Sequence, residues 1–145
     1  MATREPPERA VRTEMELRVA FRDEPGKLSR ILQTLKEAGG ALRGHLIYRL
    51  EDETIGLFVC EKPADAALAL EEQGIVPETE TVVLVRTENR PGVLRNLVWA
   101  LEAEGIGIGY SYATSTAPEL QVVFRTDDNA KAEDVLRGYL ILPCS

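Results

Sequence analysis

Asp23-Glu24-Pro25-Gly26-Lys27-Leu28 and Asn89-Arg90-Pro91-Gly92-Val93-Leu94 are one short phrase written twice, 66 residues apart from Pro25 to Pro91. The offset holds without a gap well beyond the phrase. Leu35 falls on Leu101, Gly39 on Gly105, Phe58 on Phe124, Leu70 on Leu136 and Pro77 on Pro143. A unit repeated at such a spacing sets the architecture before any motif is read. The 145 residues therefore predict two small domains rather than one. The expected organisation is a flexible leader over 1–14, a first unit over 15–78 and a second over 79–145. The leader is charged, carries Pro6 and Pro7 and has no apolar period; Met15 is a candidate physiological start.

Working outward from the phrase, Leu17, Val19 and Phe21 alternate with Glu16, Arg18 and Ala20, which is the period of a strand with one wet face. The equivalent run Val82, Val83, Leu84 and Val85 is apolar on both faces and expects cover on both. Helices supply one cover, and another sheet or chain supplies the other. After each phrase the apolar residues follow helical spacing: Leu28, Ile31, Leu32 and Leu35, then Leu94, Leu97, Val98 and Leu101. Gly39-Gly40 and Gly105 read as helix C-caps. Two strands follow in each unit, over 45–50 and 54–60, then over 110–115 and 120–125. A second helix begins near Pro63 and near Asn129, with Ala66, Ala69, Leu70 and Ala132, Val135, Leu136 facing the core. A short strand, Ile75-Val76 or Ile141-Leu142, is expected to close each unit. The fold class is α+β. Two tandem ferredoxin-like βαββαβ units, antiparallel sheets with helices on one face, are expected about a pseudo-two-fold axis.

Composition narrows the function. The formal charge of −7 and a pI near 4.8 oppose nucleic acid and anionic membrane as partners. No apolar run reaches membrane-spanning length, no signal-peptide core is visible, and the cytoplasm is the expected location. Cys60 and Cys144 form no metal or redox motif, and His45 is the single histidine, so neither a zinc site nor a metal or other cofactor is implied. Asp127-Asp128-Asn129 reads as a helix start rather than a cation site. The string Gly105-Ile106-Gly107-Ile108-Gly109 follows a helix and precedes a strand, the reverse of a dinucleotide fingerprint. Tyr110 and Tyr112 share a strand face and suit interface packing.

The phrase D/N-x-P-G-x-L between a first strand and a first helix, in a ferredoxin-like unit, resembles the ACT domain, a family of small regulatory modules that mostly bind amino acids. The resemblance covers both units, and the tandem is similar to double-ACT proteins whose second unit carries a phrase like the one at 124–136. It implies a non-catalytic regulatory protein that binds a small amino acid or related carboxylate. Regulation is expected to pass through a second protein or a change in assembly, and the two-sided apolar strand predicts a homodimer or larger oligomer. The implied ligand-binding residues are Asp23, Glu24, Pro25, Gly26, Lys27 and Leu28, with Asn89, Arg90, Pro91, Gly92, Val93 and Leu94 in the second unit. The familiar Asn in the loop after the first helix is missing from both units.

The residues supply their own rationale. Gly26 and Gly92 allow a sharp bend and close approach. The helix mouth offers N–H groups and a positive dipole end to a carboxylate. Asp23 or Asn89 can accept from an α-ammonium. The alternative is that both are helix caps and the glycines only turns. His45 or Ser111 of a second unit is expected to complete the wall. Rival functions are a ligand-free pairing module, an acylphosphatase-like hydrolase, opposed by Asp23 and Glu24 in the turn, and an RNA-binding module, opposed by the acidic charge.

Overall fold

A computed structural model describes the backbone of residues 10–141. The elements are β1 (Ala10–Arg22), α1 (Lys27–Thr34), β2 (Leu42–Leu50), β3 (Glu53–Cys60), α2 (Pro63–Glu72), β4 (Glu78–Glu88), α3 (Val93–Ala103), β5 (Ile108–Ser115), β6 (Glu119–Thr126) and α4 (Asn129–Ile141). The order repeats as strand, helix, strand, strand, helix, so the tandem ferredoxin-like α+β arrangement is present. Contacts divide the chain into two compact units. One is Met15–Thr81; among the described residues, the other joins 82–141 with 10–14.

In the first unit β3 lies between β2 and β1, antiparallel to both, with Leu17 opposite Phe58 and Leu46 opposite Leu57. Leu17, Val19, Phe21, Phe58 and Cys60 point to one face and bury against Ile31, Leu35, Ala66 and Leu70 of the helices. In the second unit β6 lies between β4 and β5, with Val83 opposite Phe124 and Tyr112 opposite Val123. Its helix-side core gathers Val83, Val85, Val122 and Phe124 against Leu97, Leu101, Ala132 and Leu136. Each fully buried side chain of this kind contributes roughly 1.5–3 kcal/mol. Leu94, by its spacing a core residue, is instead 43% exposed.

Local chemistry explains the ends of the elements. Pro63 takes the first position of α2, where a missing N–H costs little. Asp128 caps α4, its Oδ1 accepting the N–H of Lys131 at 3.1 Å. That is the helix start expected of 127–129. Gly105 ends α3 with φ +71°, as the N–H of Ile106 donates to the Leu101 carbonyl at 3.0 Å and that of Gly105 to Glu102. These are the two bonds of a Schellman stop. α1 ends differently. It runs into a single π-helical turn, Leu35–Gly39, before Gly40 leaves the helix at φ +75°. Gly39 lies inside that turn because a Cβ there would stand 3.0 Å from the Cβ of Ala66.

Two expectations are corrected. Ile75-Val76 is not a strand. Gln73-Gly74-Ile75 forms a Schellman stop on α2, the N–H of Ile75 donating to Leu70 at 2.9 Å, and Ile75 packs on the core. Ile141 is likewise the last residue of α4, while Leu142 lies outside the described residues. Nor are all of residues 1–14 an unpatterned leader. Ala10–Glu14 open β1, Val11 is buried in the second unit's core, and Arg137 Nε donates to the Val11 carbonyl at 3.1 Å. The first nine residues lie outside the described residues. Correspondingly, residues 78–81, the start of β4, belong to the first unit, where Glu78 pairs with Arg18 at 3.6 Å. Finally, Val82, Val83, Leu84 and Val85 are 0, 0, 1 and 0% exposed in the single chain. Both faces of this apolar run are covered, as its pattern expects.

Candidate functional site

Both phrases fold into the same turn. The N–H of Lys27 donates to the Glu24 carbonyl and that of Val93 to the Arg90 carbonyl, each at 3.1 Å. Pro25 and Pro91 fill the second position of these four-residue turns. Gly26 (φ 84°, ψ −10°) and Gly92 (φ 87°, ψ −6°) fill the third. That pairing of proline with a left-handed glycine is a type II turn. The same glycine then begins the helix, because its carbonyl accepts from Arg30 at 3.1 Å or from Asn96 at 3.0 Å. A Cβ on Gly26 or Gly92 would meet nothing within 4 Å, so the inner surface of each turn is open. The first-turn N–H groups behind it have no intrahelical acceptor.

The polar residues ahead of the prolines are not caps. No side chain caps α1 or α3. Asp23 instead forms an ion pair with Arg49 at the end of β2. Asn89 is held by the β5–β6 loop. Its Nδ2 donates to the Thr116 carbonyl at 2.9 Å and its N–H to the Pro118 carbonyl at 3.1 Å. With Nδ2 committed, the Asn89 Oδ1 has no partner among the described residues. The two turns therefore share a backbone and differ in electrostatics: the Asp23 carboxylate is neutralised by its own sheet, whereas the Asn89 acceptor is not.

The remaining residues follow the elements that carry them. Glu24 is exposed and contributes its carbonyl to the turn. The Lys27 Nζ lies 5.7 Å over the Phe21 ring, and Leu28 is half-buried against the core. Arg90 Nε pairs with Glu88 at 3.2 Å, Val93 packs on the second core, and exposed Leu94 leaves an apolar surface beside Gly92. His45 and Ser111 occupy equivalent register positions, opposite Phe58 and Phe124, and both are exposed. In the loop after α3, Asp127 accepts the Gly107 N–H at 3.1 Å and returns its own N–H to the Gly107 carbonyl. Tyr110 and Tyr112 stack at 6.4 Å, with Arg125 over Tyr110. Sequence reasoning missed Arg49 and Thr116, because their partnership with the turns depends on strand pairing rather than on any local pattern.

The ACT domain pair matches residues 12–140. This chain belongs to that family. The ACT pair is similar in structure to a protein from Bacteroides thetaiotaomicron, with a TM-score of 0.81, 23% identity and 90% of each chain covered. It is similar also to the ligand-free regulatory subunit of aspartate kinase from Thermus thermophilus. There the TM-score is 0.62, the identity 16%, and the coverage 92% of this chain and 98% of that one. The corresponding subunit from Thermus flavus gives 0.59 and 16%, with 91% and 96% covered. At these identities the likeness speaks for the fold. No curated protein sequence matches the chain. No helix among the described residues is long and apolar enough to cross a membrane.

Proposed function

We propose that this ACT pair is a non-catalytic regulatory module of the cytoplasm that binds a small amino acid at the turns 23–28 and 89–94, the second turn being the stronger site. The observation that carries this reading is the pairing of the open left-handed Gly92 with the unpartnered Asn89 Oδ1. First-turn N–H groups suit the ligand carboxylate, and Oδ1 suits its ammonium. Exposed Leu94 offers an apolar wall to a short side chain. The first turn has the same open glycine, but its carboxylate is engaged by Arg49 and must give up that ion pair to accept an ammonium.

Similarity to the regulatory subunits of aspartate kinase supports a regulatory role executed through another protein. A homodimer is part of the proposal. β2 and β5 stand at the outer edges of their units, and Tyr48 and Leu50 on β2 are exposed. An open strand edge with apolar side chains is a ready surface for a second copy. His45 or Ser111 of that copy would complete the wall.

A thermal-shift screen against the twenty amino acids tests the proposal, since a ligand of the folded state raises Tm by mass action. The expected affinity is micromolar to millimolar, about −4 to −8 kcal/mol. A hit abolished by Gly92→Val supports the second turn. No shift at millimolar concentration, or a hit indifferent to Gly92→Val and Asn89→Ala, rejects it in favour of a ligand-free pairing module.

A further inference from the structure

The first unit holds a cavity of about 450 Å³ between α1 and the end of α2. Its volume lies in the range of small-molecule sites. Half-buried Ile75 forms its accessible apolar part, with fully buried Ile31 behind it, and Lys27 and Arg30 stand on one side. Neither cation has a carboxylate partner among the described residues, in a chain whose formal charge is −7. The Lys27 ammonium lies over the Phe21 ring. Thr34, buried in the wall, accepts from Gln73 Nε2 at 2.7 Å and donates to the Arg30 carbonyl at 3.0 Å, which ties α1 to the end of α2. Glu37, the one carboxylate of the lining, is held by Gln33 at 2.6 Å. It lies seven residues beyond Arg30, about 10 Å along the helix, so the cavity has a cationic and an acidic end.

The second unit serves as an internal control. At the 66-residue offset, Lys27 and Arg30 become Val93 and Asn96, while Gln73 and Gly74 become Tyr139 and Leu140. α2 stops at Glu72 because Gly74 takes a left-handed φ of 81°. α4 has no glycine there and runs on to Ile141. Tyr139 and Leu140 then pack on the core together with Val93. The second repeat thus lacks both cations and carries larger apolar side chains where the first has Gln73 and Gly74.

We infer that the groove between α1 and the end of α2 binds a small organic anion with an aliphatic body, its acid group held by Lys27 and Arg30 and its body lying on Ile75. This site shares Lys27 with the first turn and is separate from the stronger amino-acid site at the second turn. Sodium octanoate, 1-octanol and sodium phosphate distinguish body from charge. In a titration of the full ¹⁵N-labelled chain, octanoate is expected to give saturable amide shifts at residues 27–34 and 73–75. Octanol and phosphate should each bind markedly more weakly. Arg30→Glu, at an exposed position, is expected to weaken octanoate about tenfold or more, the loss of one favourable charge contact. Arg30→Lys should retain affinity, and Asn89→Ala should leave it unchanged. Thermal melts of each variant separate lost binding from lost folding. Absence of saturable shifts, shifts confined to other residues, equal binding of octanol, or full affinity in a folded Arg30→Glu would each overturn the inference.

Discussion

Gly92 and Asn89 act on binding and stability in separable ways. Gly92→Val forces a β-branched residue to φ 87°, a conformation that costs an L-residue roughly 1–2 kcal/mol, and fills the open side of the turn. The expected outcome is lost ligand response with a cooperative but lowered melting transition. Asn89→Ala removes an exposed hydrogen bond to Thr116 rather than a helix cap, so it should cost only about 0.5–1 kcal/mol in urea unfolding while weakening the ligand. Cys60 is a different case. Burial pushes its thiol up to about 11 from an ordinary 9.0. Thiolate is the reactive form, so Cys60, followed in a Cys144→Ser background, should react with thiol reagents only as fast as the protein opens. Because the folded pKa is raised, the neutral thiol's contribution to stability is complete below pH 9. It is lost as pH rises through about 11. A Cys60→Ser variant should show a flatter stability profile over that interval.

Among the elements, the helix ends decide most. Asp128→Ala removes the cap on α4 and should cost about 1 kcal/mol, measured by denaturant unfolding. Gly74 and Gly105 stop α2 and α3 at left-handed positions, and the stop at Gly74 leaves the cavity open beside α1. The π-helical turn at Leu35–Gly39 has the same origin in packing. Gly39 must come within contact of Ala66 and Cys60, so the first helix yields its regular winding there. The element types, and Pro63 and Asn129 as starts, were legible from periodicity and capping chemistry. The fate of Ile75 was not. An apolar pair after a glycine fits a short strand as well as the apolar contact that follows a Schellman stop, and only packing distinguishes them.

At the scale of the whole molecule, Ala10–Glu14 are structural, as the opening of β1. Val11 is 6% exposed in the second core, and its carbonyl is held by Arg137. Deleting residues 1–14 should therefore destabilise the second unit by about 1.5–3 kcal/mol, the worth of burying one such side chain, and a free leader would cost nothing. Calorimetry of the truncated and full chains decides this. The proposed homodimer predicts twice the 16.0 kDa chain mass by light scattering at micromolar concentration. A monomer would remove the second copy from the ligand wall and leave any site to be completed within one chain.

By itself, the sequence determined the repeat, the alternation of strands and helices, the helix-side core and the twin Pro-Gly turns. Each of these follows from local chemistry: side-chain period, the fixed φ of proline, the left-handed freedom of glycine. Tertiary structure alone decided what Asp23 and Asn89 do. The two residues are equivalent in the repeat, yet one meets Arg49 and the other the Thr116 carbonyl. It also decided that Ala10–Glu14 belong with the second unit and that the first unit has a groove beside α1. These outcomes rest on partners many residues away, brought close by strand pairing and helix packing, and a single stretch of sequence carries no record of such partners.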